Sequence, residues 1–339
     1  MQTHWKLLLL SNDDVISLGS QNMHEALEDI EQTFSLLSRG EAFSPAKAAM
    51  GFGKTLQDEA TMGRINALPG YVGGRFQMAG LKWMGSNPGN LAQGLPVACA
   101  LTVLNDPVSK FPIAAMDGST ISAVRTGAVS GVAAKYLAKK DSKTLLLIGA
   151  GYQNTTQLEA IYLSCPSLEH IYIVDLIEDR AAAFARDMGQ KLGISITPLT
   201  DVTQCRHTPD ITVTATNSNQ AVLPCELVQP GCFHISVGGC DHPDLYQKAD
   251  KIVVDNWQHV YHRGLGSLVD AVNAGKLDPD AIYCQEFCKI VDGKMPGRES
   301  DQEIIYFDPV GMGCEDVAIA SRIYRRALEA QKGQWFQLF

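Results

Sequence analysis

The sequence of 339 residues predicts an α/β protein, in which a Rossmann-type doubly wound parallel sheet is joined by a second domain of mixed α+β structure. Two observations predict the parallel sheet. Short apolar runs alternate with helical segments in the second half, and the run at 144–148 ends at the glycine turn Gly149-Ala150-Gly151. A third observation predicts the other domain, because residues 41–115 consist of short segments that Gly and Pro repeatedly interrupt.

The first forty residues predict one strand and two helices. The apolar run at 7–10 reads as a strand, and a helix is expected to start at Ser11 or Asp13. Apolar residues at helical spacing then predict a helix over 22–39 that stops at Gly40.

The next segment predicts hairpins followed by a small-residue helix. Residues 41–115 are expected to form a mixed or antiparallel sheet, with VACALTVLND (97–106) as one strand that ends in a turn. From Thr120 to Lys140 the pattern predicts a helix with Ala and Gly on its packing face.

The second half predicts alternating strands and helices. Helices around 155–164 and 177–192 separate the first three of the strand candidates, which are 144–148, 170–174, 211–215, 232–237 and 251–254. A last helix over 311–332 lies too far along the chain for the same sheet, and we expect it to pack on the N-terminal domain.

Composition excludes several classes of protein. Net charge is −9, with 37 acidic against 28 basic residues and no basic block, so nucleic acid is not expected as a partner. We expect no transmembrane helix, since no run of about 18 apolar residues occurs. The first ten residues do not resemble a signal peptide. The nine cysteines are scattered without a CxxC pair, which favours reduced thiols in a cytoplasmic protein and no metal site.

The glycine turn predicts a dinucleotide site. Gly149 suits the tight turn and Gly151 the approach of a pyrophosphate to the start of the following helix, where Tyr152 and Gln153 are further candidates. Asn154 departs from the motif, which has Gly or Ala at this position.

An acid at the end of the next strand indicates which dinucleotide is bound. Asp175 follows Gly149 by 26 positions (175 − 149), where a carboxylate can accept hydrogen bonds from the ribose hydroxyls. Because a carboxylate would repel a 2′-phosphate, NAD is expected and NADP is disfavoured. The alternative is an ordinary turn of a parallel sheet with an acid at the surface.

Several longer segments resemble the ornithine cyclodeaminase/μ-crystallin family. Their combination is a more specific signal of the family than a lone glycine turn. They are GLKW (80–83), VLNDP (103–107), AAMDGSTISAVRTGAVSGVAAKYLA (114–138), IGAG (148–151), KADKIVVDNW (248–257) and DPVGMGCED (308–316). The resemblance implies an NAD-binding domain at 121–309, and a substrate-binding and dimerisation domain built from 1–120 and 310–339. It also implies a homodimer and an amino-acid or imino-acid substrate.

Within the family, the segment PGRESDQEIIYFDPVGMG (296–313) resembles one subgroup. That subgroup includes a dehydrogenase that cleaves N-(2-amino-2-carboxyethyl)-L-glutamate to 2,3-diaminopropionate, a precursor of siderophores and antibiotics, and 2-oxoglutarate. An ornithine cyclodeaminase, an imine reductase or an alanine-type dehydrogenase stays open. A binding protein without catalysis, as μ-crystallin shows for this fold, is a further alternative.

Four cations are candidates for holding the substrate. Arg125 resembles the family's carboxylate-binding arginine, with Thr126 near the cofactor phosphates; otherwise Arg125 is a surface arginine that pairs with a neighbouring acid. Lys82 alternates with apolar neighbours on a strand, and an inward-facing lysine needs an anion, so we expect it to bind substrate and handle protons. Arg64 resembles another carboxylate ligand, and Lys47 is either a second-anion ligand or a solvated loop lysine.

The family's catalytic acid is displaced in this sequence. Cyclodeaminases have an aspartate directly after the Gly-rich strand end, where this chain has Cys240, with Asp241 one place later. Either Asp241 acts as the acid/base or the chemistry differs, because a neutral thiol is a poor base. A third possibility is that Asp241 only caps the next turn.

Other polar residues near predicted strand ends are weaker candidates. Thr214, Thr216 and Gly238 lie at carboxyl ends of strands, where an α/β sheet opens onto its ligand, and are assigned to the cofactor. The alternative for the two threonines is a turn-forming role that needs no ligand. His234 and His242 flank Gly238 without a clear role, and Glu315 with Asp316 either starts a helix or contacts substrate.

Overall fold

The computed structural model describes residues 4–55, 62–218, 220–238, 241–263, 267–278 and 285–339. The chain divides into two compact units. The first unit consists of Met1–Arg125 and Gly311–Phe339, and the second unit is Thr126–Val310.

The first unit takes its elements from both ends of the chain. They are β1 (Lys6–Leu10), α1 (Asn12–Ser17), α2 (Met23–Ser38), β2 (Ala42–Phe43), β3 (Ala48–Gly51), β4 (Arg64–Val72), β5 (Met78–Ser86), β6 (Ala98–Asn105), β7 (Pro112–Asp117), the start of α3 (Ser119–Leu137), α10 (Gly313–Glu329) and β16 (Gln334–Gln337). Helix α1 begins where the sequence predicts, since the Ser11 hydroxyl accepts a hydrogen bond from the Asp14 amide at 3.2 Å.

The sheet of the first unit is mixed, with the order β16-β1-β7-β6-β5-β4-β2, while β3 pairs with β4. Its pairs are antiparallel except for β1 with β7, which run parallel. Strand alternation turns Leu68, Lys82 and Leu104 to one buried face, whereas Trp83 and Leu101 on the other face are 42% and 45% exposed.

Helix α10 packs on β4, β5 and α2. Two glycines permit this close approach: a Cβ on Gly70 would lie 2.2 Å from the Cys314 amide nitrogen, and one on Gly313 would lie 2.3 Å from the Leu68 carbonyl oxygen. The first turn of α10 therefore lies directly on the backbone of β4.

The second unit contains the remainder of α3 and a parallel sheet with its helices. The elements are β8 (Thr144–Ile148), α4 (Tyr152–Ser164), β9 (His170–Val174), α5 (Glu178–Leu192), β10 (Ile196–Leu199), β11 (Ile211–Ala215), β12 (Phe233–Gly238), α6 (Asp244–Lys248), β13 (Lys251–Val254), α7 (Trp257–Arg263), α8 (Ser267–Asn273), β14 (Gln285–Glu286), α9 (Phe287–Val291) and β15 (Ile305–Asp308).

The sheet of the second unit has the order β10-β9-β8-β11-β12-β15-β13-β14, with parallel pairing throughout. The order reverses between β8 and β11, which is the switch point where α/β sheets bind ligands. All residues of β8 are buried, so the glycine turn that follows it starts from a fixed strand end.

Most predicted strands of the second unit are present. Strands β8, β9, β11 and β13 have the predicted bounds, and β12 is shifted by one residue. Strands β10 and β15 and the two-residue β14 were not predicted from the sequence. Two of the four β10 residues, Thr197 and Pro198, are exposed, so this edge strand lacks a continuous apolar run. Strand β15 follows a long polar segment with no helix directly before it.

In the described residues, no helix is both long and apolar enough to span a bilayer.

Candidate functional site

Four buried charged side chains, Lys82, Arg125, Glu315 and Asp316, form one group in the first unit that we call the ion cluster. Lys82 Nζ lies 3.0 Å from Asp316 Oδ2. Arg125 Nη1 lies 2.8 Å from Glu315 Oε2, and Arg125 Nε lies 3.4 Å from Asp316 Oδ1. The four residues are at most 7% exposed. Two cations and two carboxylates thus balance one another away from water.

Local structure fixes each member of the ion cluster. Lys82 lies in β5 on the face that α10 covers, so it faces inward. Arg125 passes close to Gly311, where φ is +80° and a Cβ would lie 2.1 Å from Arg125 Nη1. Glu315 is in the first turn of α10 and also accepts a hydrogen bond from the Met312 amide at 3.1 Å. Glu315 therefore has both a helix-start role and an ion pair.

The environment of Lys82 changes its protonation. Burial, and then the positive charge of Arg125, lower its pKa to about 8, although Asp316 and Glu315 act in the opposite direction. Its ammonium group also donates a hydrogen bond to the Ser122 hydroxyl at 3.0 Å. Lys82 can therefore gain or lose a proton near pH 8, as a proton-handling residue must.

The other two candidate cations, Arg64 and Lys47, are less buried than Lys82 and Arg125. Arg64 begins β4, and alternation along the strand places it on the same face as Leu68, the cross-strand partner of Lys82. Within the described part of the chain we find no ion pair or side-chain hydrogen bond for Arg64, which is half-buried. Lys47 is also half-buried and precedes β3.

Three polar residues near Lys82 were missed by the sequence analysis. Thr102 is the cross-strand partner of Lys82 in β6, and Asn66 lies two residues before Leu68 in β4. Among the described residues, Thr102 Oγ1 and Asn66 Oδ1 are buried without a hydrogen-bond partner. Ser122 lies one helical turn before Arg125, and that i, i+3 spacing is the signal that could have identified it.

The turn after β8 has the geometry that a dinucleotide needs. Gly149 has φ of +99°, and a Cβ there would lie 2.6 Å from the Ala215 carbonyl oxygen. Gly151 precedes α4 without a side-chain cap, and a Cβ on it would meet no atom within 4 Å. The helix start is therefore open to an approaching phosphate.

Asn154 explains how the turn tolerates its departure from the motif. Its buried side-chain amide donates hydrogen bonds to the Ile148 carbonyl at 3.0 Å and the Gly149 carbonyl at 2.6 Å. The larger side chain thus holds the turn through hydrogen bonds instead of allowing closer helix packing.

Asp175 lies at the end of β9 beside the same turn. Its Oδ2 accepts a hydrogen bond from the Ala150 amide at 2.9 Å, and its Oδ1 accepts one from the Ile177 amide at 3.0 Å. Each carboxylate oxygen can accept further hydrogen bonds, as the ribose hydroxyls of a dinucleotide require. The glycine turn, open at Gly151, and this carboxylate fit NAD.

The remaining cofactor candidates on helices are Thr126 in α3, and Tyr152 and Gln153 at the start of α4. The Thr126 carbonyl accepts a hydrogen bond from Gln157 Nε2 at 3.2 Å. A Cβ on Gly127 would lie 2.5 Å from the Thr156 carbonyl oxygen, so α3 and α4 pack closely there. Tyr152 is 60% exposed, and the Gln153 amide donates to the Thr156 hydroxyl at 3.0 Å.

The candidates at the strand ends differ in exposure. The Thr216 amide donates to the Gly238 carbonyl at 3.0 Å, which joins the ends of β11 and β12. Thr214 is only 1% exposed, and its hydroxyl donates to Asp241 at 3.3 Å. Thr214 therefore supports the strand end from inside the protein.

Asp241 is the centre of a buried polar network. It accepts hydrogen bonds from the hydroxyls of Ser236 at 2.5 Å, Tyr306 at 2.7 Å and Thr214, while His234 Nε2 lies 3.3 Å from its Oδ1. Burial raises its pKa, but His234 and the hydrogen bonds outweigh burial and lower the pKa to about 2. The ionised carboxylate thus connects β11, β12 and β15.

This network bears on the acid/base assignment. A carboxylate that is 2% exposed and has a pKa of about 2 is a weak proton acceptor. Cys240, the alternative catalytic residue, lies outside the described residues. His234 is buried within the network, and His242 is exposed.

Comparison with known proteins identifies relatives over almost the whole chain. Residues 8–331 match the model of the ornithine cyclodeaminase/mu-crystallin family. The chain is 29% identical to the N-((2S)-2-amino-2-carboxyethyl)-L-glutamate dehydrogenase of Staphylococcus aureus, covering 98% of this chain and 99% of the relative.

Two solved structures are similar along their whole length. An archaeal alanine dehydrogenase dimer with bound NAD has a TM-score of 0.88 and 33% identity, over 99% of this chain and 100% of the other. The Thermococcus litoralis Delta(1)-pyrroline-2-carboxylate reductase, solved with NADH and L-proline, has a TM-score of 0.87 and 33% identity, over 97% and 99% of the two chains.

The geometry at Asp175 predicts how one substitution changes cofactor selection. Asp175→Asn removes the charge that repels a 2′-phosphate and weakens hydrogen bonds to the ribose, so NAD affinity should fall about tenfold while NADP affinity rises. Isothermal titration with each nucleotide measures this change. The exposed Asp179, in the first turn of α5, provides the control Asp179→Asn, which should leave both affinities unchanged. An unaltered NAD-to-NADP ratio in Asp175→Asn would refute the assignment.

Proposed function

The chain belongs to the ornithine cyclodeaminase/mu-crystallin family, and we propose that it is an NAD-dependent oxidoreductase that acts on the C–N bond of an amino acid. The specific reaction that we propose is the oxidative cleavage of N-(2-amino-2-carboxyethyl)-L-glutamate to 2,3-diaminopropionate and 2-oxoglutarate. The observation that supports an enzyme over a binding protein is the buried lysine of the ion cluster, whose pKa of about 8 suits proton transfer.

The proposed reaction has a simple balance. The conjugate, NAD and water yield 2,3-diaminopropionate, 2-oxoglutarate, NADH and a proton. When bound, NAD supplies the acceptor for the hydride that leaves the α-carbon of the glutamyl moiety. The resulting carbon–nitrogen double bond is attacked by water, and the C–N bond then breaks to release the amine.

The chain's own residues supply binding and proton transfer. We assign Arg125 and Lys82 to the binding of a substrate carboxylate. We also assign a proton-transfer role to Lys82, which in its neutral form accepts the proton that leaves the amine or the water. The ion cluster is already charge-balanced, so further carboxylates need further cations. Arg64, on the same face of the sheet, and Lys47 are assigned to this role.

The substrate conjugate is supported by the resemblance of 296–313 and by the Staphylococcus aureus relative. Ornithine cyclisation is less well supported, since Cys240 occupies the slot of the family's catalytic aspartate and Asp241 is buried in its own network.

A second candidate is a smaller substrate with one carboxylate, such as alanine or pyrroline-2-carboxylate. Two relatives at 33% identity, the alanine dehydrogenase and the pyrroline-2-carboxylate reductase, favour it.

An assay of NADH formation separates these candidates. Purified protein with NAD should form NADH and 2-oxoglutarate with the conjugate, and Lys82→Met should lower the rate at least about 100-fold because proton transfer is lost. Arg64→Met should raise the KM for the conjugate more than that for L-alanine. NADH formation from L-alanine or L-proline without turnover of the conjugate would establish the second candidate instead.

We also propose a homodimer formed through the outer face of the first unit's sheet. Trp83 and Leu101 are cross-strand partners on this face, and both remain exposed in the single chain. The related archaeal alanine dehydrogenase is a dimer.

Sedimentation analysis should therefore give twice the chain mass of 36.8 kDa. Trp83→Glu should shift the equilibrium towards monomer, because a charge would be buried in an apolar interface. Val108 is 88% exposed in a turn, so Val108→Glu is the control and should leave the dimer intact. A monomeric wild-type protein at micromolar concentration would contradict the proposal.

A further inference from the structure

Cys225, His242 and Asp244 converge on one point of the second unit, although 17 positions separate Cys225 from His242 (242 − 225). Their thiol sulfur, one imidazole nitrogen and one carboxylate oxygen all lie within 4.8 Å of one another. We propose that these residues form a binding site for a divalent transition metal, Zn²⁺ above all, separate from the residues assigned to substrate and NAD.

The donor set fits zinc. Thiolate, imidazole and carboxylate are its usual protein ligands, and three of them leave a fourth tetrahedral position open. The site lies at an open depression of about 380 Å³, whose lining includes Cys225, Asp244 and Glu226. Glu226 or water can therefore supply the fourth ligand. Magnesium or calcium would instead require mostly oxygen ligands.

The fold holds the ligand-bearing segments together. Cys225 begins a 3₁₀ turn between β11 and β12, and Asp244 begins α6. In α6, the Lys248 ammonium donates to the Cys225 carbonyl at 2.9 Å and the Val228 carbonyl at 2.6 Å. Lys248 therefore joins the two segments through the backbone and leaves the Cys225 sulfur for another partner.

A shared core gives the site further rigidity. Leu223 and Val228, on either side of the turn, pack in the same buried cluster as Leu245 of α6. Between His242 and Asp244, Pro243 fixes its own φ at −55°. The backbone segments that carry the ligands are thus held together, and ligand atoms within 4.8 Å of one another need only side-chain adjustment to close onto a metal ion.

The local charges also favour a cation. The two acids Asp244 and Glu226 outnumber the nearby Lys248 ammonium, which donates to two carbonyl oxygens. A bound metal would link the β11–β12 connection to the segment directly after Asp241. Metal binding is therefore expected to stabilise the second unit against unfolding.

Cobalt substitution tests the thiolate ligand directly. Protein stripped with chelator and titrated with Co²⁺ should develop a thiolate-to-cobalt absorption band in the near ultraviolet, which Zn²⁺ should displace at one equivalent per chain. Cys225→Ser should abolish the band, and His242→Gln should weaken it. Cys205 is a partly buried free cysteine outside the site, so Cys205→Ser should keep the band. A band of equal strength in Cys225→Ser, or none in the wild type, would overturn the proposal.

Thiol labelling keeps the test decisive if Cys225→Ser fails to fold. Zn²⁺ should slow the reaction of Cys225 with maleimide in the wild-type protein, as located by mass spectrometry. Cys205, a partly buried free cysteine of the second unit outside the site, should react at the same rate with and without metal. Equal labelling of Cys225 in both conditions would also overturn the proposal.

Discussion

The pairing of Lys82 and Arg125 with Asp316 and Glu315 is the interaction on which the rest of the first unit's chemistry depends. Leaving one such charge buried without its partner costs about 3–5 kcal/mol. The C-terminal helix must therefore sit where it does for β5 and α3 to keep their cations. The close approaches at Gly70 and Gly313 make that position possible.

The two units differ in how far the sequence could reveal them. The glycine turn and Asp175 could be identified because a local strand–turn–helix pattern determines their positions. The ion cluster could not be predicted from the sequence as a group, because Arg125 and Glu315 are 190 positions apart and only tertiary packing brings them together. Strand alternation predicts that Lys82 faces inward, but nothing local identifies its partner Asp316, which was expected either to start a helix or to contact substrate.

Asp241 shows the same limit at a finer scale. Its place beside a Gly-rich strand end suggested acid/base chemistry or a turn cap. The structure surrounds it with Ser236, Tyr306 and His234, of which Tyr306 belongs to β15, a strand that the sequence analysis missed. The proposed metal ligands Cys225 and His242 likewise form no recognisable sequence motif. They come together only because the turn that begins at Cys225 lies against α6.

The most direct test of the ion cluster is the pH profile of kcat/KM for amino-acid oxidation. The profile should rise through pH 8 as Lys82 loses its proton. Asp316→Asn removes a negative charge that favours the ammonium, so the pKa of Lys82 should fall and the rise should move to lower pH. An identical profile in Asp316→Asn, or a wild-type rise only near the ordinary lysine pKa of about 10.4, would contradict this account.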